Sequence, residues 1–468
     1  MVVGVSSPVK IAEENDLHVC ELSDTTNKST IECPFDRLNG EILREYGHDL
    51  TDGCIYLTNY RLFLSFNPST TYHYSFVNCT LGLIEFIELK DNIYLYIQCK
   101  DFRSFRLIFT TSDKCLYWLK KFQENLSLLN HIEELFALKY QTNQSYQPRD
   151  YFQEDIQRLK LNQSPWRITE LNEDYKLAPT YPPRCIVPER INDEDVRNVA
   201  KFRSHRRFPT IVWKHVNGAV IARSSQPEVG WLFWRSKEDE RMIEEIINAC
   251  KPTSSELINK KLVIFDARSY AAALANRAKG GGLEHPQYYT NCDIQFMNLP
   301  NIHVVRKSAQ MLRLAITNAA QGETWLSQLE SSRWLHNLSA LINSAQCIVE
   351  HVDQHARPVL IHCSDGWDRT PQLTTLAKIM LDSYYRTIEG FQVLIQREWI
   401  AFGHKFSDRC GHGNGSTDPN ERSPVFLQWI DCIYQLFNQH PTAFEFNEMF
   451  LVNLKKKIYL RFDCFRFS

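Results

Sequence analysis

The sequence predicts two domains: an N-terminal antiparallel β-barrel closed by one helix, then a larger α/β domain with a central sheet flanked by helices. Three observations carry that reading. Residues 53–109 form short alternating apolar and polar runs joined by turn residues, and one amphipathic helix follows. Beyond Tyr151, short apolar runs alternate with helical periodicity. One such run, residues 358–362, leads into a cysteine-containing loop that opens a helix. The length fits: 468 residues exceed one ordinary domain. An apolar share of 43% against 23% charged belongs to a folded chain rather than a disordered one.

The elements follow in order. Residues 53–64 read as β structure with an Asn59-containing turn. Residues 83–89 and 92–98 alternate in polarity and are joined by Lys90-Asp91, a hairpin signal. Residues 105–109 add a strand. Ser112 then opens a helix with Leu116, Leu119 and Phe122 at helical spacing. Residues 126–138 continue helical, and 141–149 form a polar joint. A helix over 151–161 opens the second domain. There, residues 261–266 and 358–362 read as buried strands, while 323–349, 373–382 and 391–402 read as helices. The site is expected at the carboxyl end of a strand.

That end is residues 359–370, Val-Leu-Ile-His-Cys-Ser-Asp-Gly-Trp-Asp-Arg-Thr. Only a thiolate attacks well, and a helix N-terminus with a nearby guanidinium favours the anion. Backbone N–H groups of the same loop can hold phosphate oxygens. Arg369 can grip two of them as a fork. Thr370 is placed to hydrogen-bond the Cys363 sulfur. Pro371 sits in the first helical turn, where its missing N–H does little harm. Asp368 is the nearest general acid for the leaving oxygen. Asp365 adds a second carboxylate, read as disfavouring adjacent phosphates and tolerating one. With fourteen cysteines present, a lone one would be an ordinary buried residue. The strand before Cys363, the Ser and Gly content, the Thr after Arg369 and the following helix single it out as a nucleophile on a phosphoester.

Two other clusters carry competing readings. Residues 201–207, Lys-Phe-Arg-Ser-His-Arg-Arg, are read as a solvated helix end, with anionic lipid as the alternative. Trp231, Phe233 and Trp234 are read as core, with a seat in a membrane interface as the alternative.

Residues 362–370 resemble the signature of the myotubularins, phosphoinositide 3-phosphatases of the cysteine-phosphatase superfamily. The resemblance extends through residues 275–282, 301–304, 381–387, 402–406, 423–428 and 444–448, and covers the chain from about Leu17 to Val452. Residues 409–413 and 428–432 are most similar to the branch that carries a C-terminal FYVE zinc finger, which is absent from this sequence. The family implies a PH-GRAM domain over 17–140, marked by Leu57-Thr58-Asn59-Tyr60-Arg61, which binds phosphoinositides or proteins or only packs. It implies a linker over 141–150 and a phosphatase domain over 151–453, and leaves 454–468 as a divergent tail without the expected coiled coil. Its substrate contacts map onto Asn276, Asn301, Ile302, Ser364, Asp365, Gly366, Trp367, Asp368, Arg369 and Lys405. The residues agree with that mapping. Asn276 precedes three glycines, where backbone can approach a ligand. Asn301 and Ile302 follow a strand and a proline. Lys405 offers a charge for a second phosphate.

Cys363, Asp368 and Arg369 are all retained, so an active enzyme is expected. The reaction implied is hydrolysis of the D3 phosphate of phosphatidylinositol 3-phosphate and the 3,5-bisphosphate through a phospho-cysteine. A protein tyrosine phosphatase and a non-catalytic lipid-binding adaptor are the alternatives. No metal and no cofactor is expected. A net charge of −2 gives no basic field, so nucleic acid is not a partner. The cysteines show no metal spacing and read as reduced thiols. No signal peptide, N-myristoylation site or transmembrane run is read. The expectation is a cytoplasmic protein that meets endosomal membranes peripherally, with homo- or hetero-dimers of myotubularins as further partners.

Overall fold

The computed structural model describes residues 19–20, 31–38, 40–66, 76–100, 103–128, 149–250, 261–318, 324–411 and 418–459. The chain divides into two compact units, one of residues 1–147 with 412–416 and 452–468, the other of 148–411 with 417–451.

In the first unit, β1 (Leu43–Gly47), β2 (Gly53–Thr58), β3 (Arg61–Phe66) and β4 (Phe76–Thr80) form a four-stranded antiparallel sheet in chain order. β5 (Ile84–Lys90), β6 (Tyr94–Cys99) and β7 (Ser104–Ile108) form a three-stranded one. The expected closed barrel is not found among the described residues; the strands split into two sheets. The turn at Asn59 is tied locally. The Thr58 hydroxyl accepts from the N–H groups of Tyr60 and Arg61, and Arg61 forks onto buried Glu41. The second hairpin turns one residue later than expected. Lys90 still pairs with Tyr94, and Asp91 and Asn92 take the left-handed conformation the turn needs.

Helix α1 (Ser112–Leu128) follows. Its buried face is Cys115, Trp118, Phe122 and Asn125, whereas Leu116 is half exposed. The indole, anchored by its N–H to Asp49 at 2.9 Å, sets the rotation of the helix. The helical reading of 126–138 reaches past the described residues after 128, and the polar joint lies outside them up to 148.

The second unit opens with α2 (Tyr151–Arg158) and holds a five-stranded sheet. Its strands are β8 (Thr210–Lys214), β9 (Val220–Arg223), β10 (Leu262–Asp266), β11 (Cys292–Phe296) and β12 (Val359–His362). The order across the sheet is β8-β9-β12-β10-β11, with β8 antiparallel to β9 and the rest parallel. β12 is therefore central. Its residues Val359, Leu360 and Ile361 are fully buried on both faces, as a parallel strand covered by helices requires. Among the helices, α3 (Tyr270–Ala275) and α4 (Ile302–Asn318) flank β11 in sequence, and α5 (Trp334–Asp353) packs on α6 (Arg369–Leu381).

The helix expected over 323–349 is two. It breaks at Arg333, whose φ of 57° cannot continue the first helix, and Trp334 restarts it. The helix expected over 391–402 is Ile388–Ile395 followed by a wider turn. Helix α7 (Phe406–Cys410) is short. The helix Glu448–Tyr459 continues past Val452, so Lys455 to Lys457 are helical. Residues 460–468 lie outside the described residues.

Candidate active site

Three neighbouring parallel strands end in charged residues: Arg223 on β9, Asp266 on β10 and His362 on β12. All are buried, and each is answered. Arg223 pairs with Glu398 at 2.8 Å, Asp266 with Arg268 at 2.7 Å, and His362 with Glu284 at 3.1 Å. Arg203 joins Glu284 to Asp239, with distances of 2.7 and 2.6 Å. For His362, burial pulls the ring toward neutrality, but Glu284 outweighs it and the imidazole is raised above its ordinary value. Burial likewise opposes the charge on Glu284, yet His362 and Arg203 hold that carboxyl far below the usual range. A fixed ionic floor thus lies beneath the loop.

Cys363 follows His362 and is buried. Two donors point at its sulfur, the Gly366 N–H at 3.2 Å and the Thr370 hydroxyl at 3.3 Å, an arrangement that stabilises negative charge. The loop carbonyls are drawn away from the sulfur. The Gln226 N–H holds the Ser364 carbonyl at 2.9 Å. The guanidinium groups of Arg207 and Arg223 hold that of Gly366 at 2.9 and 2.8 Å. His404 Nδ1 holds that of Trp367 at 2.8 Å. In a trans peptide the carbonyl and the following N–H point opposite ways. Hence the N–H groups of Asp365, Trp367 and Asp368 point away from those clamps, and with the Gly366 N–H seen on the sulfur they are the loop's donors for an anion. Gly366 makes this possible. Its φ is +80°, and a Cβ there would lie 2.5 Å from the Ser224 carbonyl oxygen.

Arg369, the first residue of α6, donates to the Leu299 carbonyl at 3.3 Å. Among the described residues no carboxylate is paired with it, so the rest of its fork is open to an anion. Asp368 is different. Arg409 forks onto it at 3.0 and 2.9 Å, and His404 lies 3.3 Å away. Burial would raise this carboxyl, but the bonds from His404 and Arg409 prevail and keep it well below the usual carboxylate range. Asp368 therefore rests ionised. Asp365 is partly exposed, 3.4 Å from His205 Nε2. Trp367 is buried, with the His205 ring 4.6 Å from one part of it and the Lys405 ammonium 4.5 Å over its face.

The structure brings most of the sequence-derived candidates together. Residues 363–368 form one loop that Arg369 and Thr370 continue as the start of α6, Lys405 covers Trp367, and Asn276 connects through Gln226, whose side-chain oxygen accepts from Asn276 at 3.2 Å. Of the three glycines after Asn276, Gly280 has φ +87° and open space around it, and the other two pack on protein. A Cβ at Gly281 would meet the Gln226 side chain and one at Gly282 would meet Val229, so the close neighbours are protein. Asn301 is exposed and caps α4, accepting from the Val304 N–H at 3.0 Å. Ile302 is half-buried, and its carbonyl accepts from Ser423. Their link to the loop runs through Leu299.

Sequence reasoning missed Arg207, Arg223, Gln226, His404 and Arg409. Arg409 lies one helical turn after Lys405, a spacing that was the available signal. The basic cluster at 201–207 is neither a solvated end nor a lipid patch throughout. Arg203 and Arg207 are fully buried, Arg203 in the ionic floor and Arg207 on the loop.

A profile of the myotubularin-like phosphatase domain matches residues 131–466. The phosphatidylinositol-3,5-bisphosphate 3-phosphatase MTMR4 of Mus musculus is 40% identical over 484 aligned positions, covering 92% of this chain and 40% of that protein. MTMR4 of Xenopus laevis is 42% identical, covering 92% of this chain and 44% of that protein. Myotubularin of Xenopus laevis is 40% identical, covering 89% of this chain and 70% of that protein. The chain spans about two fifths of the length of the MTMR4 proteins it matches.

Proposed function

The chain belongs to the myotubularin family, and from that footing we propose that it is a phosphoinositide 3-phosphatase. Its substrates are the D3 phosphates of phosphatidylinositol 3-phosphate and phosphatidylinositol 3,5-bisphosphate. The observation that carries the reading is the outward clamping of the Ser364, Gly366 and Trp367 carbonyls, which leaves a ring of N–H donors for an anion at Cys363. Relatives named as 3-phosphatases of phosphatidylinositol 3,5-bisphosphate support the substrate class.

In the proposed mechanism, the ring and Arg369 hold the three non-bridging phosphate oxygens, and the Cys363 thiolate attacks phosphorus in line. The bond from phosphorus to the inositol O3 breaks, and Asp368 relays to O3 a proton that it does not hold beforehand. Asp368 rests ionised, so that proton must arrive with the substrate. A phosphomonoester has its second ionisation near pH ~6 and can bring one. Water then cleaves the phospho-cysteine, and the Thr370 hydroxyl eases departure of the sulfur. Lys405 receives a second phosphate, that of the diester. Asn276, Asn301 and Ile302 line the approach.

The unit formed by the first 147 residues is proposed to be a PH-GRAM domain over 17–140, joined by 141–150 to a phosphatase domain over 151–453. Its two sheets and following helix support an open form of that plan. The protein is proposed to act from the cytoplasm on endosomal membranes as a peripheral protein, as a homo- or hetero-dimer. No helix among the described residues is long and apolar enough to cross a membrane.

Purified protein is expected to release phosphate from phosphatidylinositol 3-phosphate, and Cys363→Ser to release none. Equal turnover of phosphotyrosine peptides would sink the lipid assignment, and turnover of neither would leave an adaptor.

A further inference from the structure

Between β9 and the helix Lys237–Ala249 the chain makes a turn with four large apolar side chains in a row. Trp231 is 71% exposed, Leu232 78%, Phe233 59% and Trp234 65%. The core expected of these aromatics does not form. The turn is nonetheless built: the Trp234 N–H closes it onto the Val229 carbonyl at 2.8 Å. Phe233 is held at φ 54°, in the left-handed region that a bulky side chain avoids, and burial does not offset that strain.

Its position ties it to the pocket. Gln226, five residues before Trp231, clamps the Ser364 carbonyl with its N–H and meets Asn276 with its side chain. The Gly230 N–H donates to the Gly281 carbonyl at 2.9 Å, on the loop that follows Asn276. A cation lies against the rings. The Arg277 guanidinium lies 4.6 Å over Phe233, and Lys279 is exposed two residues on. Tyr288, 40% exposed, shares a cleft of about 250 Å³ with Phe233, Trp234 and Arg277.

Tryptophan, tyrosine and phenylalanine tips beside arginine and lysine suit the layer where acyl chains meet anionic headgroups. We propose that the turn at 231–234 seats in the interface of an anionic lipid bilayer and holds the Cys363 pocket against it. The proposal rests on the lipid-phosphatase reading for its purpose, but not for its test. A patch this exposed on an ordinary surface is a liability, and a bilayer is the occupant that matches both its rings and its cations.

Tryptophan fluorescence reports on this turn selectively. Of the ten tryptophans, Trp231 and Trp234 are the two exposed ones; seven are buried and Trp325 is intermediate. The full chain is mixed with vesicles of phosphatidylcholine and phosphatidylserine carrying brominated acyl chains and no phosphoinositide. Quenching is expected for the wild type. It should vanish in Trp231→Ala/Trp234→Ala, with vesicle affinity reduced roughly tenfold or more. The double variant should hydrolyse a short-chain, water-soluble phosphatidylinositol 3-phosphate as the wild type does, yet lose activity on vesicles. An unquenched wild type would overturn the proposal and assign the patch to a protein partner. Unchanged vesicle binding by the double variant would overturn it too. If neither protein cleaves the soluble substrate, the phosphatase reading fails and the quenching decides this one alone.

Discussion

Two residues of the loop carry separable tasks. Gly366 supplies shape: its φ of +80° and its contact with Ser224 leave no room for a side chain. Gly366→Ala must push the loop off strand β9 and move the donor ring. Because misplacement by about 1 Å costs on the order of hundredfold, kcat/KM should fall by that much or more while the circular dichroism stays native. Near-normal kinetics in this variant would reject the donor ring as the source of catalysis. Asp368 is the proposed relay of the proton to the leaving oxygen, and its pairing with Arg409 makes the assignment testable. Asp368→Asn should slow hydrolysis of the inositol lipid by roughly 10²–10⁴-fold. An activated aryl phosphate, whose leaving group needs no proton, should be cleaved almost as fast as by the wild type. Equal loss on both substrates would mean that Asp368 only anchors Arg409 and the loop.

At the scale of elements, the site is a strand, a loop and a helix in sequence, and that much was legible. A run of Val359, Leu360 and Ile361 can only be buried, and Arg369, Thr370 and Pro371 suit a first helical turn. The residues that aim the loop were not legible. Arg207, Arg223 and Gln226 come from the chain around β9, brought beside β12 only by parallel pairing across the sheet. A basic cluster at 201–207 looks solvated in one dimension because its partners Asp239, Glu284 and the loop carbonyls are far away in sequence. Helix α6 places Thr370 on the sulfur at 3.3 Å, so in the proposed mechanism its effect belongs to the second step, when sulfur leaves phosphorus. Thr370→Ala removes one bond to a charged group, worth about 1.5–3 kcal/mol. Dephosphorylation should slow by roughly tenfold or more, and a phospho-cysteine should accumulate on acid quenching. A variant that slows without accumulating the phospho-enzyme would move Thr370 to the first step.

The whole second unit is built over charges that only their partners make tolerable. Isolated, His362 one residue from Cys363 would be a buried core histidine; with Glu284, Arg203 and Asp239 it is one end of an ionic chain. That chain fixes how stability depends on pH. His362 has a folded pKa raised above its unfolded value of about 6.5, so its contribution is full below that value and is lost as pH rises through the folded one. Glu284 is depressed below its unfolded value of about 4.3, so its contribution is present above that value and is lost as pH falls through the folded one. The two together predict greatest stability between about pH 4.3 and about 6.5, with an alkaline decline assigned to His362. Glu284→Gln removes the charge that sets both shifts. It leaves Arg203 and His362 facing a neutral amide, which should cost about 3–5 kcal/mol at pH 6. It should also flatten the alkaline decline, because burial then opposes the His362 proton with only Asp266, itself paired with Arg268, left to favour it. Urea unfolding of the two proteins across pH 5 to 9 measures both effects. A Glu284→Gln variant that keeps the wild-type alkaline slope would place the titration elsewhere and leave His362 neutral beneath the loop.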